Sequence, residues 1–238
     1  MSKIFITGST DGLGLLAAKK LISMGNEVVL HARNQKRADD VHQELPNSKI
    51  LIGNLSNKSE VEDLAEQINN NSPFDTIIHN AGIASGSSQL IFQINVVAPY
   101  LLTALVKRPK RLVYISSGMH KGSSLDLNHL ETTTGYSSSK LQVLMLSKAM
   151  ARLWPNVSTN AIDPGWVPTK MGGQNANDDL EQGYAGQVWL ASTANSSITG
   201  QYFYHSKPSQ YDSRADDTSL QQQLLNQLAK ITGVQLPN

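Results

Sequence analysis

Tyr136 and Lys140 stand four residues apart in the stretch TGYSSSK, residues 134–140. The phenol of a tyrosine ordinarily titrates near pH ~10, so it is a poor proton donor or acceptor at neutral pH. If residues 136–152 are helical, the two side chains lie one turn apart on the same face. An ammonium at that distance favours the phenolate and lowers the tyrosine pKa. The spacing therefore predicts either a general acid–base group or an ordinary surface pair, and other motifs must decide between them.

A glycine-rich turn near the start of the chain offers a second kind of chemistry. The segment ITGSTDGLG, residues 6–14, follows an apolar run and places glycines at positions 8, 12 and 14. A phosphate bound at such a corner needs a bare backbone, free N–H groups and the positive end of a helix dipole. A simple strand–helix turn would use the same residues. The position after the first strand nevertheless favours dinucleotide binding.

The elements that must position these residues alternate along the chain. Strand patterns cover residues 3–8, 26–33, 48–55, 74–82, 111–117, 157–165 and 200–204, and helical patterns cover 13–25, 35–46, 57–70, 94–106, 136–154, 180–192 and 219–233. Such alternation predicts βαβ units with right-handed crossovers and one parallel sheet. The strand patterns are continuous apolar runs, which indicates burial on both faces. We therefore predict an α/β protein, a single-domain Rossmann-like doubly wound parallel sheet with helices on both faces, over residues 1–238.

Composition excludes several classes of function. The 238 residues carry a net charge of +1, so no strong field points to nucleic acid or an anionic membrane. The basic cluster KRPKR, residues 107–111, contains a proline and directly precedes a strand pattern, which favours a solvated turn. Cysteine is absent and the six histidines are scattered, so we predict no disulfide and no metal site. The quickly polar N-terminus and the lack of an apolar run near ~20 residues predict a cytoplasmic protein that does not bind a membrane.

Six motifs, in order, resemble those of the short-chain dehydrogenase/reductase family. They are T-G-x-x-x-G-x-G from Thr7 to Gly14, HNAG at 79–82, INVVAP with Asn95, YISS with Ser116 and Ser117, Y-x-x-x-K from Tyr136 to Lys140, and DPGWVPT at 163–169. Each motif alone is weak, but the ordered set spans about residues 3 to 205. The long segment between Ser117 and Tyr136 is similar to that of the retinol-dehydrogenase-like members and of small bacterial reductases.

The resemblance implies a catalytic set of Asn95, Ser117, Tyr136 and Lys140. Tyr136 would exchange a proton with the substrate oxygen, and Lys140 would tune Tyr136 and hold the nicotinamide ribose. Ser117 would hydrogen-bond the substrate oxygen, with Ser116 as the alternative because strand ends are uncertain by a residue or two. Asn95 would position a water molecule, or else serve only as a helix cap or kink residue.

The resemblance also implies a cofactor site around the strand ends. Its expected residues are Gly8, Ser9, Thr10, Gly12, Leu13, Gly14, Arg33, Asn34, Asn54, Leu55, Asn80, Ala81, Gly82, Tyr136, Lys140, Pro164, Gly165, Val167 and Thr169. Arg33 follows the second strand, where enzymes that prefer NAD tend to carry an acid. Its guanidinium suits a 2′-phosphate, with Ser9, Asn34 and Lys36 as additional contacts. We therefore expect NADP(H) to be preferred, with NAD(H) as a second cofactor.

Besides the long segment between Ser117 and Tyr136, two departures from the family pattern affect these expectations. Asn54 replaces the acid that often follows the third strand, although an amide oxygen still accepts a hydrogen bond from an adenine amino group. The segments on either side of Asn95 are short, which leaves open whether the protein forms a homodimer or a homotetramer. Residues 166–185 are expected to form a mobile substrate lid. Within this lid, Trp166 is as compatible with lining the site as with not lining it, whereas Trp154 and Trp189 are expected to pack in the core.

These observations predict an NADP(H)-dependent oxidoreductase that interconverts a small-molecule aldehyde or ketone and an alcohol. One alternative is a nucleotide-binding sensor of the same fold without turnover, but a sensor would be expected to have lost the tyrosine–lysine motif. The other is a sugar-nucleotide epimerase-like enzyme, which usually has a larger C-terminal substrate domain. Little chain remains after residue 204 to build one. Substrate identity and reaction direction stay open.

Overall fold

The computed structural model describes residues 1–193, 195 and 197–237, and its strands form one sheet. The sheet has eight strands in the order β3-β2-β1-β4-β5-β6-β7-β8. The strands are β1 (Lys3–Ile6), β2 (Glu27–Ala32), β3 (Lys49–Ile52), β4 (Thr76–His79), β5 (Arg111–Ile115), β6 (Ser158–Asp163), β7 (Tyr202–Tyr204) and β8 (Lys207–Pro208). All neighbouring pairs are parallel except β7 and β8. The predicted fold class is confirmed, and the short antiparallel β8 was not predicted.

Nine α-helices connect or flank these strands within the described part of the chain. They are α1 (Gly12–Ser23), α2 (Gln35–Glu44), α3 (Lys58–Asn70), α4 (Ser88–Phe92), α5 (Ala98–Leu105), α6 (Leu130–Thr133), α7 (Tyr136–Leu153), α8 (Leu180–Ser192) and α9 (Thr218–Thr232). A π-helical turn, Gln93–Val97, joins α4 to α5. The last helix ends where predicted, because Gly233 adopts the left-handed conformation with φ of 72°.

The core has two layers, one on each face of the sheet. On one face, apolar side chains of α1 and α8 pack against β1, β2, β5 and β6. On the other face, α3, α5 and α7 supply a larger apolar cluster. Alternate residues of one strand therefore serve different layers: Phe5 belongs to the larger cluster, and Ile4 and Ile6 to the smaller one. Burial on both faces is the reason why these strands read as continuous apolar runs.

The run of helix from Ser88 to Leu105 is unusually apolar. It is the one described helix with the length and composition to cross a membrane, at 18 residues and a mean hydropathy of 1.3, and 61% of it is buried inside the protein. We had expected no apolar run near the ~20 residues of a membrane span, and this helix departs from that expectation. This is weak evidence for a membrane span, because buried core helices of soluble proteins pass the same test.

The C-terminal segment packs back onto α5 and α7. The Tyr100 hydroxyl of α5 donates to the carbonyl of Val234 at 2.7 Å. The indole N–H of Trp154, just after α7, donates to the carbonyl of Pro237 at 3.2 Å. Trp154 is buried, as predicted, and is 3% exposed. The C-terminus therefore covers part of the helical face that lies over the larger apolar layer.

Candidate functional site

The predicted site residues gather at the carboxyl ends of the parallel strands. Strand order reverses at β1, which pairs with β2 on one side and with β4 on the other. In open α/β sheets this reversal leaves a crevice where ligands bind. The glycine turn follows β1, the NAG segment follows β4, and the serine pair follows β5. The topology thus brings together motifs that are more than a hundred residues apart in the chain.

The glycine turn packs tightly against the segment after β4. Gly8 has φ of 63°, and a Cβ there would lie 3.0 Å from Ala81. A Cβ on Gly14 would lie 2.4 Å from Nδ2 of Asn80. That amide donates to the carbonyls of Thr7 and Gly8, at 3.0 Å and 3.2 Å. The glycines are therefore required by the close approach of two backbone segments as well as by any phosphate.

A buried histidine fixes this turn, and the sequence patterns did not reveal it. His31 on β2 is 2% exposed. Its Nδ1 accepts a hydrogen bond from the N–H of Gly8 at 2.9 Å, and its Nε2 donates to the carbonyl of Gly53 at 2.8 Å. The imidazole thereby joins the turn after β1 to the end of β3. A polar residue inside the otherwise apolar run VVLHA was the available signal.

Ser9 forms a hydrogen bond with the same histidine, so its predicted side-chain contact with the cofactor needs correction. Its side chain is fully buried, and its hydroxyl donates to the carbonyl of Ile6 at 2.9 Å. The same hydroxyl accepts the N–H of His31 at 2.9 Å. Since both bonds lie inside the protein, the Ser9 side chain supports the turn and does not face a ligand.

We expect the protein to lose stability steeply in acid because burial lowers the pKa of several histidines, among them His31 and His79. Burial lowers the pKa of His31 to about 4 and that of His79 to about 3. Between the ordinary pKa of about 6.5 and these values, the unfolded chain binds protons that the folded chain does not. Each histidine should therefore reduce the free energy of unfolding by about 1.4 kcal/mol per pH unit as the pH falls through this window.

Urea unfolding at several pH values measures this slope. His31→Gln should reduce the slope by about 1.4 kcal/mol per pH unit, whereas His42→Gln, at an exposed position on α2, should leave it unchanged. A free energy of unfolding that is constant between pH 6.5 and 4 would contradict the expectation.

Tyr136 and Lys140 share one end of α7, as the four-residue spacing predicts. Nζ of Lys140 lies 5.5 Å from the centre of the Tyr136 ring and donates to the carbonyl of Ile115 at 2.9 Å. Lys140 is 5% exposed, and burial lowers its pKa to about 8. An ammonium has three donors. The one bond to Ile115 therefore leaves donors for a ligand.

The expected direction of the Tyr136 pKa is wrong in this structure. Burial raises the pKa of the phenol, and the negative charge of Asp163 raises it further, whereas a hydrogen bond with the Ser117 side chain lowers it. Loss of water around the phenol is the largest of these effects. Tyr136 therefore carries its proton at neutral pH.

The two serines after β5 have different surroundings. The strand ends at Ile115, so both follow it rather than end it. Ser116 is 1% exposed, and its hydroxyl donates to the backbone carbonyl of Lys140 at 2.9 Å. Ser117 is half-buried, and its hydroxyl hydrogen-bonds Tyr136 and accepts from the N–H of Met119 at 3.3 Å. Ser117 is thus the serine beside the phenol.

Asn95 lies in the π-helical turn and bridges three elements. Its Oδ1 accepts the N–H of Ile83 at 2.9 Å, while Nδ2 donates to the carbonyl of Ile83 and to the Ser139 hydroxyl, both at 3.0 Å. A Cβ on Gly82 would lie 3.3 Å from that Oδ1 and 3.4 Å from Nζ of Lys140. Asn95 therefore holds the segment after β4 against the lysine. Single-turn π-helices within α-helices are frequent at functional sites.

The end of β2 presents one uncommitted cation. Arg33 is exposed, and its side chain shows no hydrogen bond or ion pair with any described residue. Asn34 is engaged instead, because its Oδ1 caps α2 by accepting the N–H of Arg37 at 3.0 Å. Lys36 points to Asp40 along the same helix at 3.5 Å. Of the predicted contacts for a 2′-phosphate, Arg33 is the cation that has no partner among the described residues.

A second arginine reaches the glycine turn from α2. The guanidinium of Arg37 donates to the carbonyl of Thr10 at 3.3 Å and to the carboxylate of Asp11 at 3.2 Å. Asp11 caps α1 and also pairs with Lys170 of the loop after β6. Both bases lower the Asp11 pKa, Lys170 most. The sequence analysis had not singled out any of these three residues.

The predicted adenine contact at Asn54 needs correction. Its amide oxygen accepts both the N–H and the hydroxyl of Ser56, at 3.1 Å and 2.8 Å. The oxygen expected to bind the adenine amino group therefore already has two donors in the turn after β3. The side chain of Leu55 is 6% exposed and belongs to the core, which leaves only its backbone for a ligand.

The loop after β6 lies close to the glycine turn. A Cβ on Gly12 would be 3.9 Å from the Thr169 side chain, and one on Gly183 would be 2.7 Å from Val167 and 3.2 Å from Leu13. Val167 is buried at 4% exposure, so its side chain anchors the loop. These contacts place the P-G segment of residues 164–165 and Thr169 on the same side as α1.

Trp166 remains exposed on that loop. Its side chain is 53% exposed, and its indole N–H donates to the carbonyl of Gly172 at 2.9 Å. Its backbone N–H donates to the carboxylate of Asp178 at 2.6 Å. Residues 166–178 are thus tied together by their own hydrogen bonds. The predicted mobility of the 166–185 lid stays a prediction.

The site fits a dinucleotide in three respects. The first turn of α1 presents helix N–H groups, and the absence of side chains at Gly8, Gly12 and Gly14 keeps the approach open. A buried ammonium with unused donors stands at the other end, on Lys140. Among the described residues no group of three or more histidine or acidic side chains is arranged to hold a metal ion.

Comparison with known proteins gives one consistent family. A family model described as short chain dehydrogenase matches residues 2–180. The chain is 38% identical over 253 residues to an uncharacterized oxidoreductase of Emericella nidulans, covering 100% of this chain and 99% of that protein. It is 36% identical over 259 residues to short-chain dehydrogenase chyC of Penicillium rubens, with 100% of both chains covered.

A solved structure supports the same fold. The structure of an NADPH-bound carbonyl reductase from chicken fatty liver superposes with a TM-score of 0.72 at 22% identity. The superposition covers 89% of this chain and 99% of that one. At this level of identity the likeness speaks for the fold alone.

Proposed function

Because the chain belongs to the short-chain dehydrogenase/reductase family, we propose that it is an NADP(H)-dependent enzyme that interconverts a carbonyl compound and an alcohol. The observation that carries the proposal is the group formed by Tyr136, Lys140 and Ser117 beside the strand-end crevice. A proton donor, a buried cation and a hydroxyl in one place are what carbonyl reduction requires.

Each member of the group has a distinct task. Tyr136, protonated at neutral pH, donates its proton to the carbonyl oxygen as that oxygen becomes an alkoxide, and in the reverse direction it accepts the alcohol proton. Ser117 donates a hydrogen bond to the same oxygen and holds it at the phenol. Lys140 holds the nicotinamide ribose and offers a positive charge close to the Tyr136 ring, where it stabilises the phenolate that proton donation leaves. Asn95 keeps the segment after β4 against Lys140.

A bound nicotinamide supplies the hydride, and the protein orients the substrate and cofactor and transfers the proton. We propose that the whole dinucleotide is held by residues around the strand-end crevice. These are the glycine turn with Thr10 and Leu13, the segment 80–82, the backbone at 54–55, Tyr136, Lys140, the loop residues Pro164, Gly165, Val167 and Thr169, and Arg33. Ser9 and Asn34 support the turn and α2 instead. NADPH-bound carbonyl reductase shares the fold, which supports this assignment.

A turnover panel tests the proposed function. The protein is mixed with NADPH and aldehydes or ketones, or with NADP⁺ and alcohols, and the nicotinamide absorbance is followed. We expect turnover of at least one carbonyl compound, faster with NADPH than with NADH. Cofactor binding without turnover across the panel, measured by fluorescence of the reduced nicotinamide, would instead favour a sensor.

We expect replacement of Ser117 and replacement of Ser116 to have different effects on kcat. Ser117→Ala should reduce kcat by about tenfold or more, since it removes a hydrogen bond to an oxygen that gains charge. Ser116→Ala should reduce kcat less and mainly affect stability, because its hydroxyl donates to the Lys140 carbonyl inside the protein. Steady-state kinetics with thermal melting separates the effects. A larger loss of kcat at position 116 would reverse the assignment.

A further inference from the structure

Asp163 ends β6 with a buried charge that the proposed reaction does not use. Its side chain is 8% exposed. One carboxylate oxygen accepts the N–H of Gly165 at 2.9 Å, and the other accepts the hydroxyl of Tyr202 at 3.3 Å. Both donors are neutral, so neither bond pairs the carboxylate with a cation. Burial of a charge without a paired cation is costly, which calls for a reason.

The carboxylate lies against the backbone that follows Ser117. Strands β5 and β6 pair in parallel, and the N–H of Ser116 donates to the carbonyl of Ile162 at 2.7 Å. A Cβ on Gly118 would be 2.9 Å from Oδ2 of Asp163. A residue larger than glycine would therefore displace the carboxylate, and Gly118 permits its approach to the site.

The charge of Asp163 acts on both proton-holding groups of the site. It adds to burial in raising the pKa of Tyr136, and it opposes the effect of burial on the pKa of Lys140. The other titratable groups that face the carboxylate are Tyr202 and Tyr204 of β7 and His120, which ends a short 3₁₀ helix, Gly118–His120. His120 is 0% exposed, and burial lowers its pKa. Asp163 therefore supplies the buried negative charge of this group.

Resting on the proposed function of the site, we propose that Asp163 is a positioning residue that sets the working pH range of the enzyme. Its carboxylate lies against Gly118, next to Ser117, and Asp163 directly follows Ile162, the strand partner of the Ile115 whose carbonyl accepts from Lys140. The isosteric Asp163→Asn variant tests this role, since its amide oxygen can still accept the N–H of Gly165. Loss of the negative charge favours the phenolate and disfavours the ammonium, so both groups should lose their protons at lower pH.

Two measurements follow the shift. In carbonyl reduction by Asp163→Asn, the alkaline limb of the plot of kcat against pH should move to lower pH by about one unit. The ultraviolet absorbance difference between each protein and its Tyr136→Phe counterpart follows the ionisation of Tyr136 without any turnover, and its midpoint should move equally. If the substrate panel finds no turnover, the proposed function fails while this titration still judges the role of Asp163.

Controls separate charge from packing. Tyr202→Phe removes the hydrogen bond to Asp163 and keeps the charge, so its Tyr136 titration should stay close to that of the parent. Asp75→Asn removes an equal charge at the opposite end of the sheet and should shift nothing. Asp163→Ser is a second neutral replacement if the asparagine variant does not fold. A Tyr136 titration that is unchanged in the neutral variants, or equally shifted in Tyr202→Phe, would overturn the proposal.

Discussion

Tyr136→Phe should lose at least about a hundredfold in kcat, because proton transfer by a positioned side chain typically contributes 10²- to 10⁴-fold. The variant keeps the aromatic ring beside Lys140 and removes only the hydroxyl, so cofactor affinity should stay near that of the parent. The measurement combines steady-state kinetics on a substrate that the parent reduces with fluorescence titration of NADPH.

Tyr100→Phe is the matched control for this variant. Tyr100 is a buried tyrosine whose hydroxyl donates to the Val234 carbonyl, outside the site. Its loss should cost about 1 kcal/mol of stability and leave kcat unchanged. Full activity of Tyr136→Phe would show that the proton comes from another group and would refute the proposed mechanism.

The second large effect is expected at Arg33. A charge-assisted hydrogen bond contributes roughly 1.5–3 kcal/mol, which corresponds to a preference for NADP(H) over NAD(H) of about ten- to hundredfold. Arg33→Ala should remove most of this preference by weakening NADPH binding, and should leave NADH binding nearly unchanged. Fluorescence titration of the two reduced cofactors measures both affinities directly.

Lys19→Ala provides a control at an exposed cation of α1 that pairs with Glu44. It changes the net charge by the same amount and should leave the cofactor preference intact. Equal affinities of the parent protein for the two cofactors, or tighter binding of NADH, would refute the role of Arg33. Because long-range charge effects are screened by salt, the comparison belongs at physiological ionic strength.

The local features of this protein follow from short stretches of its amino-acid sequence. Continuous apolar runs predict strands buried on both faces, and the alternation with helical patterns predicts the parallel sheet. The glycine turn, the four-residue spacing of Tyr136 and Lys140 and the stop at Gly233 are likewise local, since each depends on backbone geometry within a few residues. These features are confirmed in the structure.

Which side chains are free to bind a ligand, and how strongly they hold their protons, depends on the packing of distant parts of the chain. Ser9 and Asn54 carry the right groups for a ligand, but their partners within the protein already engage those groups. His31 fixes the glycine turn across 22 residues, and Asp163 acts on a tyrosine of another element. Burial then raises the Tyr136 pKa that the neighbouring lysine alone would lower. Desolvation and long-range partners depend on the packed whole, so no local pattern could have specified them.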